Sequence, residues 1–235
     1  MLLDDAGLER ELLRMTDSFT PELFLGIAVA DGAMFVNKIS RLAVDPERFE
    51  DDRQEIMSKK GMGAVYAKTA DGRPLRRQTC AEREWLLSEY YRPYHQALAG
   101  EVQKILDRFG GCLIVDCHSF PSKPLPYELC RFDQRPDICL GTDRFHTPEK
   151  LVTTVGGFFR QNSLTVAKNV PFSGTFVPAP YYQKDKRVVS IMIEVNRASY
   201  MDEKIGRRNH NFATIKEILD ALFKTIIGGN LVSAN

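Results

Sequence analysis

The stretch Leu113-Ile114-Val115-Asp116-Cys117-His118-Ser119 constrains this chain most, because an apolar run breaks abruptly into Asp-x-His-Ser. Leu113 to Val115 read as a strand buried on both faces, as in a sheet covered by helices. In open α/β sheets, sites form where the carboxyl ends of the strands meet a crevice. His118, at that end, is therefore the first candidate for a chemical residue. Cys117 adjoins it in sequence, but strand alternation sends neighbouring side chains to opposite faces, which argues against a Cys117 nucleophile beside His118.

A second apolar run, Val188 to Val195, ends in the same way, with Glu194 near its close and Asn196-Arg197 directly after. A histidine that can ligate zinc and a glutamate that can move protons are the pair that metal-assisted hydrolysis needs. The metal polarises a carbonyl and lowers the pKa of its water, and the carboxylate shuttles the proton. Taken alone, Glu194 reads equally well as a structural ion-pair partner.

The remaining elements follow from periodicity and caps. Leu8 to Leu13 is helical, and Thr16-Asp17-Ser18 precedes a second helix start at Pro21, so Asp17 reads first as an N-cap. Strands are expected around Gly32 to Val36 and Ser40 to Asp45. Arg41, inside that second run, either meets an internal carboxylate or points into the crevice. Residues 46–74 form a long excursion of the kind used for lids and binding loops, with a short strand at Gly63 to Ala67. The strongest helical pattern runs from Cys80 to Phe109; Pro93 should kink or split it, His95 reads as a packing residue, and Gly110-Gly111 ends it. Beyond the proline-rich loop 120–136 come a strand at Asp137 to Leu140, a helix at Glu149 to Asn162 and a strand at Leu164 to Lys168. A rigid turn at Asn169 to Thr175 leads to the strand carrying Glu194, and a closing helix spans Ile215 to Ile227.

Bulk properties bound the function. At 235 residues and 43% hydrophobic content, one α/β domain over 1–235 is expected. The net charge is +1 with a pI near 7.6 and no basic stripe, which excludes nucleic acid as the expected partner. Acids at Asp4-Asp5 replace the basic residues of a signal peptide, and no apolar run approaches a membrane span, so a soluble cytoplasmic protein is expected. The five cysteines lack CxxC spacing and read as reduced thiols.

Several motifs together carry a family resemblance. Asp116-Cys117-His118-Ser119-Phe120-Pro121-Ser122, Asp137-Ile138-Cys139-Leu140-Gly141-Thr142, Asn169-Val170-Pro171-Phe172-Ser173-Gly174, Ile193-Glu194-Val195-Asn196-Arg197 and Tyr200-Met201-Asp202-Glu203 stand in the order found in N-formylglutamate amidohydrolases. Ser40 to Asp45 and Tyr91 to His95 also match. The resemblance implies a three-layer αβα fold with a mixed central sheet, similar to zinc carboxypeptidases and aspartoacylase. It implies hydrolysis of a small N-formyl or N-acyl acidic amino acid to formate and glutamate. By motif, His118 and Asp17 would be zinc ligands and Glu194 the general base and acid. Arg41 and Arg197 would clamp substrate carboxylates, Asn169 and Thr175 would contact the substrate backbone or oxyanion, and Arg144 would be a further anion site.

One departure stands beside these matches. Family members carry a Pro-His-Ser/Ala-Gly motif upstream of the Thr-Asp segment, whereas no histidine here precedes His95. Either the chain starts late, without that strand and its ligand, or it is a divergent member without the metal site. The second alternative would be a metal-free protein that binds a carboxylate ligand without turnover.

Overall fold

The computed structural model describes residues 2–29 and 32–228. The chain divides into two compact units, one of residues up to 16, 36–98 and 125–129, the other of residues 17–35, 99–124 and 130 onward. The helices are α1 (Asp5–Met15), α2 (Thr20–Leu23), α3 (Gly26–Val29), α4 (Cys80–Leu86), α5 (Arg92–Phe109), α6 (Glu149–Gln161) and α7 (Phe212–Gly228). One sheet holds β1 (Cys112–Phe120), β2 (Ile138–Gly141), β3 (Val166–Lys168) and β4 (Val188–Asn196). No described helix is long and apolar enough to cross a membrane.

In the first unit, Asp4 caps α1 by accepting from the Gly7 amide at 2.8 Å, and Met15 packs into a cluster with Leu42, Met57, Met62, Tyr66, Ala70 and Leu75. The strand expected at Ser40 to Asp45 does not form. Ser40 closes a turn instead, its carbonyl accepting from Ala43 (2.8 Å) and Val44 (3.1 Å) and its Oγ from Leu42 (3.2 Å). Side-chain capping of a turn here wins over β propensity, because among the described residues no strand pairs with this segment. The segment expected as a strand at Gly63 to Ala67 likewise carries none and holds only an isolated bridge, Met62 to Tyr66. Gly32 to Val36, of which residues 32–35 belong to the second unit, is not a strand either. Pro93 splits the long helix, as its sequence position predicts. A widened π-type turn, Leu87–Tyr91, separates α4 from α5 just where the proline ring would meet the carbonyl four residues back.

In the second unit, the sheet order is β1-β4-β2-β3. β1 and β4 run parallel, β2 runs antiparallel to β4, and β3 is parallel to β2, giving the mixed sheet of an α/β fold. β4 is buried along its whole length, whereas the central residues of β1, an outer strand, are only partly buried. The doubly buried strand is thus β4 rather than Leu113 to Val115. Alternation sorts the side chains. Val189, Ile191, Ile193 and Val195 face a core with Leu151, Val155 and Phe159 of α6 and Leu219, Leu222 and Phe223 of α7, with Leu23 and Phe24 beside them. Each such side chain contributes about 1.5 to 3 kcal/mol through burial. On the other face, Val102 and Leu106 of α5 cover the start of β1 and β4 at Cys112 and Val188. The remainder of that face, toward the strands' carboxyl ends, carries the polar residues.

A crossing segment lies against this polar face. A Cβ built on Gly141 would stand 2.1 Å from the Gly174 carbonyl and 2.3 Å from Met192 Cε, so only glycine lets segment 170–176 lie against β2. We expect Gly141→Ala to lower the unfolding free energy by about 2 to 4 kcal/mol, because the nearest contact is backbone and cannot swing aside. Urea unfolding followed by circular dichroism measures this; an unchanged midpoint would contradict the close packing.

Candidate functional site

The register of β1 and β4 pairs His118 with Glu194, and that of β2 pairs Cys139 with Glu194. Directly opposed residues share a face, so His118, Glu194 and Cys139 form a row across three strands about 4.8 Å apart. The row is nearly closed to solvent, with His118 7% and Glu194 8% exposed. Cys139 donates to the Phe172 carbonyl at 3.2 Å, and burial, with Glu194 adding repulsion, pushes its thiol up to about 11. It is a neutral neighbour of Glu194 rather than a nucleophile. Cys117 packs against the apolar core on the opposite face, and burial, together with Asp116, raises its thiol well above the usual range. Both facts agree with the alternation expected from sequence.

Both ring nitrogens of His118 face carboxylates. Nδ1 lies 3.0 Å from Asp17 Oδ2 and Nε2 lies 2.9 Å from Asp116 Oδ1. Asp116 also accepts from the Phe176 amide at 2.9 Å, which fixes its carboxylate from a third segment. Asp17 in turn accepts from Arg197 Nη2 at 3.2 Å. The Arg197 guanidinium also donates to Ser119, to Oγ through Nε at 3.2 Å and to the carbonyl through Nη2 at 3.3 Å, and it is 3% exposed. Tyr200 completes the scaffold by donating to the Ser18 carbonyl at 2.8 Å, anchoring the turn that carries Asp17. Burial raises the Tyr200 phenol, which stays a donor.

Asp17 is not a cap in this structure. The cap position of α2 is Phe19, held at a left-handed φ of 67° without a side-chain bond, which frees the Asp17 carboxylate to reach His118 and Arg197. The other sequence candidates divide. Arg41 belongs to the first unit, where Asp45 meets it: burial pushes Asp45 up, and Arg41, Arg48 and the Tyr66 hydroxyl together bring its carboxyl below the ordinary value. Asn169 clasps the turn after β2, accepting from the Thr142 amide and donating to Thr142 Oγ1, both at 2.9 Å. Thr175 Oγ1 lies 2.6 Å from Ser190 Oγ on the polar face, four residues before Glu194. Arg144 is exposed beside His146, whose Nδ1 lies 2.7 Å from the Val188 carbonyl at the start of β4, the end opposite Glu194. The antiparallel course of β2 puts Arg144 there. Asp116 is the residue that the motif reading passed over, although its i, i+2 spacing to His118 on a strand places both on one face.

The Asp17 and His118 donors suit a cation. Two ligand atoms of a tetrahedral zinc at about 2.0 to 2.1 Å from the metal stand about 3.3 Å apart, close to the 3.0 Å between Nδ1 and Oδ2. Asp116 on the other ring nitrogen supplies the outer carboxylate of a carboxylate–histidine–zinc arrangement. Together they fill two protein positions.

A mixed-sheet α/β unit that gathers a histidine, a glutamate and a braced aspartate at its strand ends has the residue types that hydrolases use. A profile of the N-formylglutamate amidohydrolase family matches residues 2–201, and the chain belongs to that family. It is similar to an N-formylglutamate deformylase of Pseudomonas aeruginosa, 29% identical over 233 residues, covering 93% of this chain and 86% of that protein. An N-formylglutamate deformylase of Pseudomonas putida is 26% identical over 202 residues, covering 83% and 74% respectively. The crystal structure of N-formylglutamate amidohydrolase from Ralstonia eutropha JMP134 superposes with a TM-score of 0.80 at 27% identity, covering 94% of this chain and 85% of that one. A structure from Agrobacterium tumefaciens shares the fold, with a TM-score of 0.67 at 17% identity over 97% and 82% of the two chains.

The Asp17–Arg197 contact yields a stability prediction. Arg197→Met leaves a mostly buried carboxylate without its guanidinium and should destabilise the protein by about 3 kcal/mol. Arg144→Met, on an exposed turn, should stay within about 0.5 kcal/mol. Denaturant titrations of both variants test this; equal, small effects would show that Arg197 does not neutralise Asp17.

Proposed function

We propose that the protein is an amidohydrolase that cleaves the amide of an N-formyl acidic amino acid, N-formylglutamate foremost, to formate and the free amino acid. The observation that carries this reading is the in-register pairing of His118 with Glu194 at the carboxyl ends of β1 and β4. Relatives named as N-formylglutamate deformylases support the choice of substrate.

In this mechanism, Glu194 takes a proton from the attacking water. It then delivers that proton to the amine nitrogen as the carbon–nitrogen bond breaks, acting as base and then as acid. Its near-complete burial keeps bulk water from competing for the proton. Asp17 and His118 would hold a zinc ion, which when bound supplies Lewis-acid polarisation of the formyl carbonyl and a more acidic water. Asp116 keeps the His118 ring in one orientation and favours the proton on Nε2, which leaves the Nδ1 lone pair directed toward Asp17. Arg197 and Ser119 hold Asp17 from its other side. In this assignment Arg197 positions Asp17 and is not a substrate clamp.

A second reading, a metal-free member that binds an acidic ligand without turnover, is favoured by the histidine pattern: family members carry a Pro-His motif before the Thr-Asp segment, and no histidine here precedes His95. Formate release from N-formylglutamate, with and without added zinc and after chelation, separates the two. Turnover that needs zinc supports the hydrolase. Thermal stabilisation by glutamate without formate at any zinc concentration supports the second reading.

Glu194→Gln preserves shape and should lower kcat by about 100- to 10,000-fold, with the unfolding midpoint little changed. A full rate in that variant removes Glu194 from the mechanism. Asp116→Ala should weaken zinc binding by about 10- to 100-fold, read by competition with a chromogenic chelator. Unaltered zinc affinity would show that Asp116 does not brace the ligand.

A further inference from the structure

The hydrolase reading leaves open which group meets the acidic side chain of the substrate, and the cations named so far do not fill that place. The Arg197 guanidinium is buried against Asp17 and Ser119. Arg144 stands at the opposite end of β4, and Arg41 is engaged with Asp45.

Arg135 lies at the correct end. The segment entering β2 is pinned to the end of β4, where the Asn196 amide donates to the Asp137 carbonyl at 2.8 Å and Asn196 Nδ2 donates to the Pro136 carbonyl at 3.1 Å. The guanidinium carbon of Arg135 stands 5.6 Å from the Phe120 ring centroid and 5.8 Å from that of Phe172, and Nη1 donates to the Pro121 carbonyl at 3.0 Å. The two rings meet edge to face at 5.8 Å, so they form a rigid seat for the cation. Phe120 pairs with Asn196 across the strands, one same-face step beyond His118 and Glu194. Phe172 joins the same row through the bond from Cys139 to its carbonyl.

That step is about 7 Å along a strand, comparable to the reach from an amide nitrogen to the end of a glutamate side chain. We propose that Arg135 is a specificity-determining residue that receives the side-chain carboxylate of an N-formyl acidic amino acid. A guanidinium is planar and matches the geometry of a carboxylate, and this one is held in place by Phe120 and Phe172. The assignment rests on the hydrolase reading for its substrate and on the aromatic seat for its geometry.

Steady-state kinetics on three substrates test it. N-formylglutamate and N-formylisoglutamine carry the side-chain acid, whereas N-formylglutamine does not. Arg135→Met should lower kcat/KM for the first two by about 100-fold, mainly through KM. N-formylglutamine should change by less than about twofold, because no charge pair is lost. Arg135→Lys, which keeps the charge, should recover part of the loss. An equal fall on all three substrates, or no fall on the first two, overturns the assignment. If the unsubstituted protein releases formate from none of them, the hydrolase reading fails and glutarate becomes the probe. A thermal shift with glutarate that Arg135→Met abolishes then supports the carboxylate seat. An equal shift in both proteins, or none in the unsubstituted protein, overturns it.

Discussion

The parallel pairing of β1 with β4 is the constraint on which the rest of the second unit depends. It sets His118 opposite Glu194, Asp116 opposite Met192 and Phe120 opposite Asn196 in a single register. A slip of one residue would turn every polar side chain of one strand into the apolar core and every core residue outward. Val189, Ile191, Ile193 and Val195, packed on α6 and α7, make that slip costly, so the hydrophobic face sets the alignment of the polar one. The chemistry on one side of the sheet is held in place by packing on the other.

Around this row the structure places a chain of polar contacts. Arg197, Asp17, His118 and Asp116 follow one another, each within 3.2 Å of the next. Charged groups this poorly exposed persist only when each has a partner, since the cost of removing a lone charge from water exceeds what one contact returns. The chain of contacts joins the turn before α2, the ends of β1 and β4, and segment 170–176 through the Phe176 amide. Four stretches distant in sequence thus converge on one imidazole.

Much of this could be read before folding. The apolar strands ending in His118 and Glu194, the alternation that turns Cys117 away and the break at Pro93 all follow from local rules. What could not be read depends on long-range pairing. Asp17 looks like a helix cap from its neighbours, and only the position of β1 shows that its carboxylate is engaged elsewhere. Arg144 follows β2 and would lie by the site in an all-parallel sheet; the antiparallel course of β2, which no local pattern encodes, carries it to the other end. Ser40 to Asp45 has β propensity but, among the described residues, no partner strand, so turn hydrogen bonds take over.

The same reversal of β2 that takes Arg144 away brings the start of that strand, and the segment before it, to the end where His118 and Glu194 lie. The residues assigned to the reaction and the residue assigned to read the side chain therefore come from different kinds of structure. His118 and Glu194 stand on strands fixed by the core, while Arg135 rides on a connection. Connections tolerate exchange and insertion more readily than the elements they join. Ligand preference in this fold can thus drift through the approach to β2 while the reaction stays the same, so members with one chemistry can diverge in what they accept.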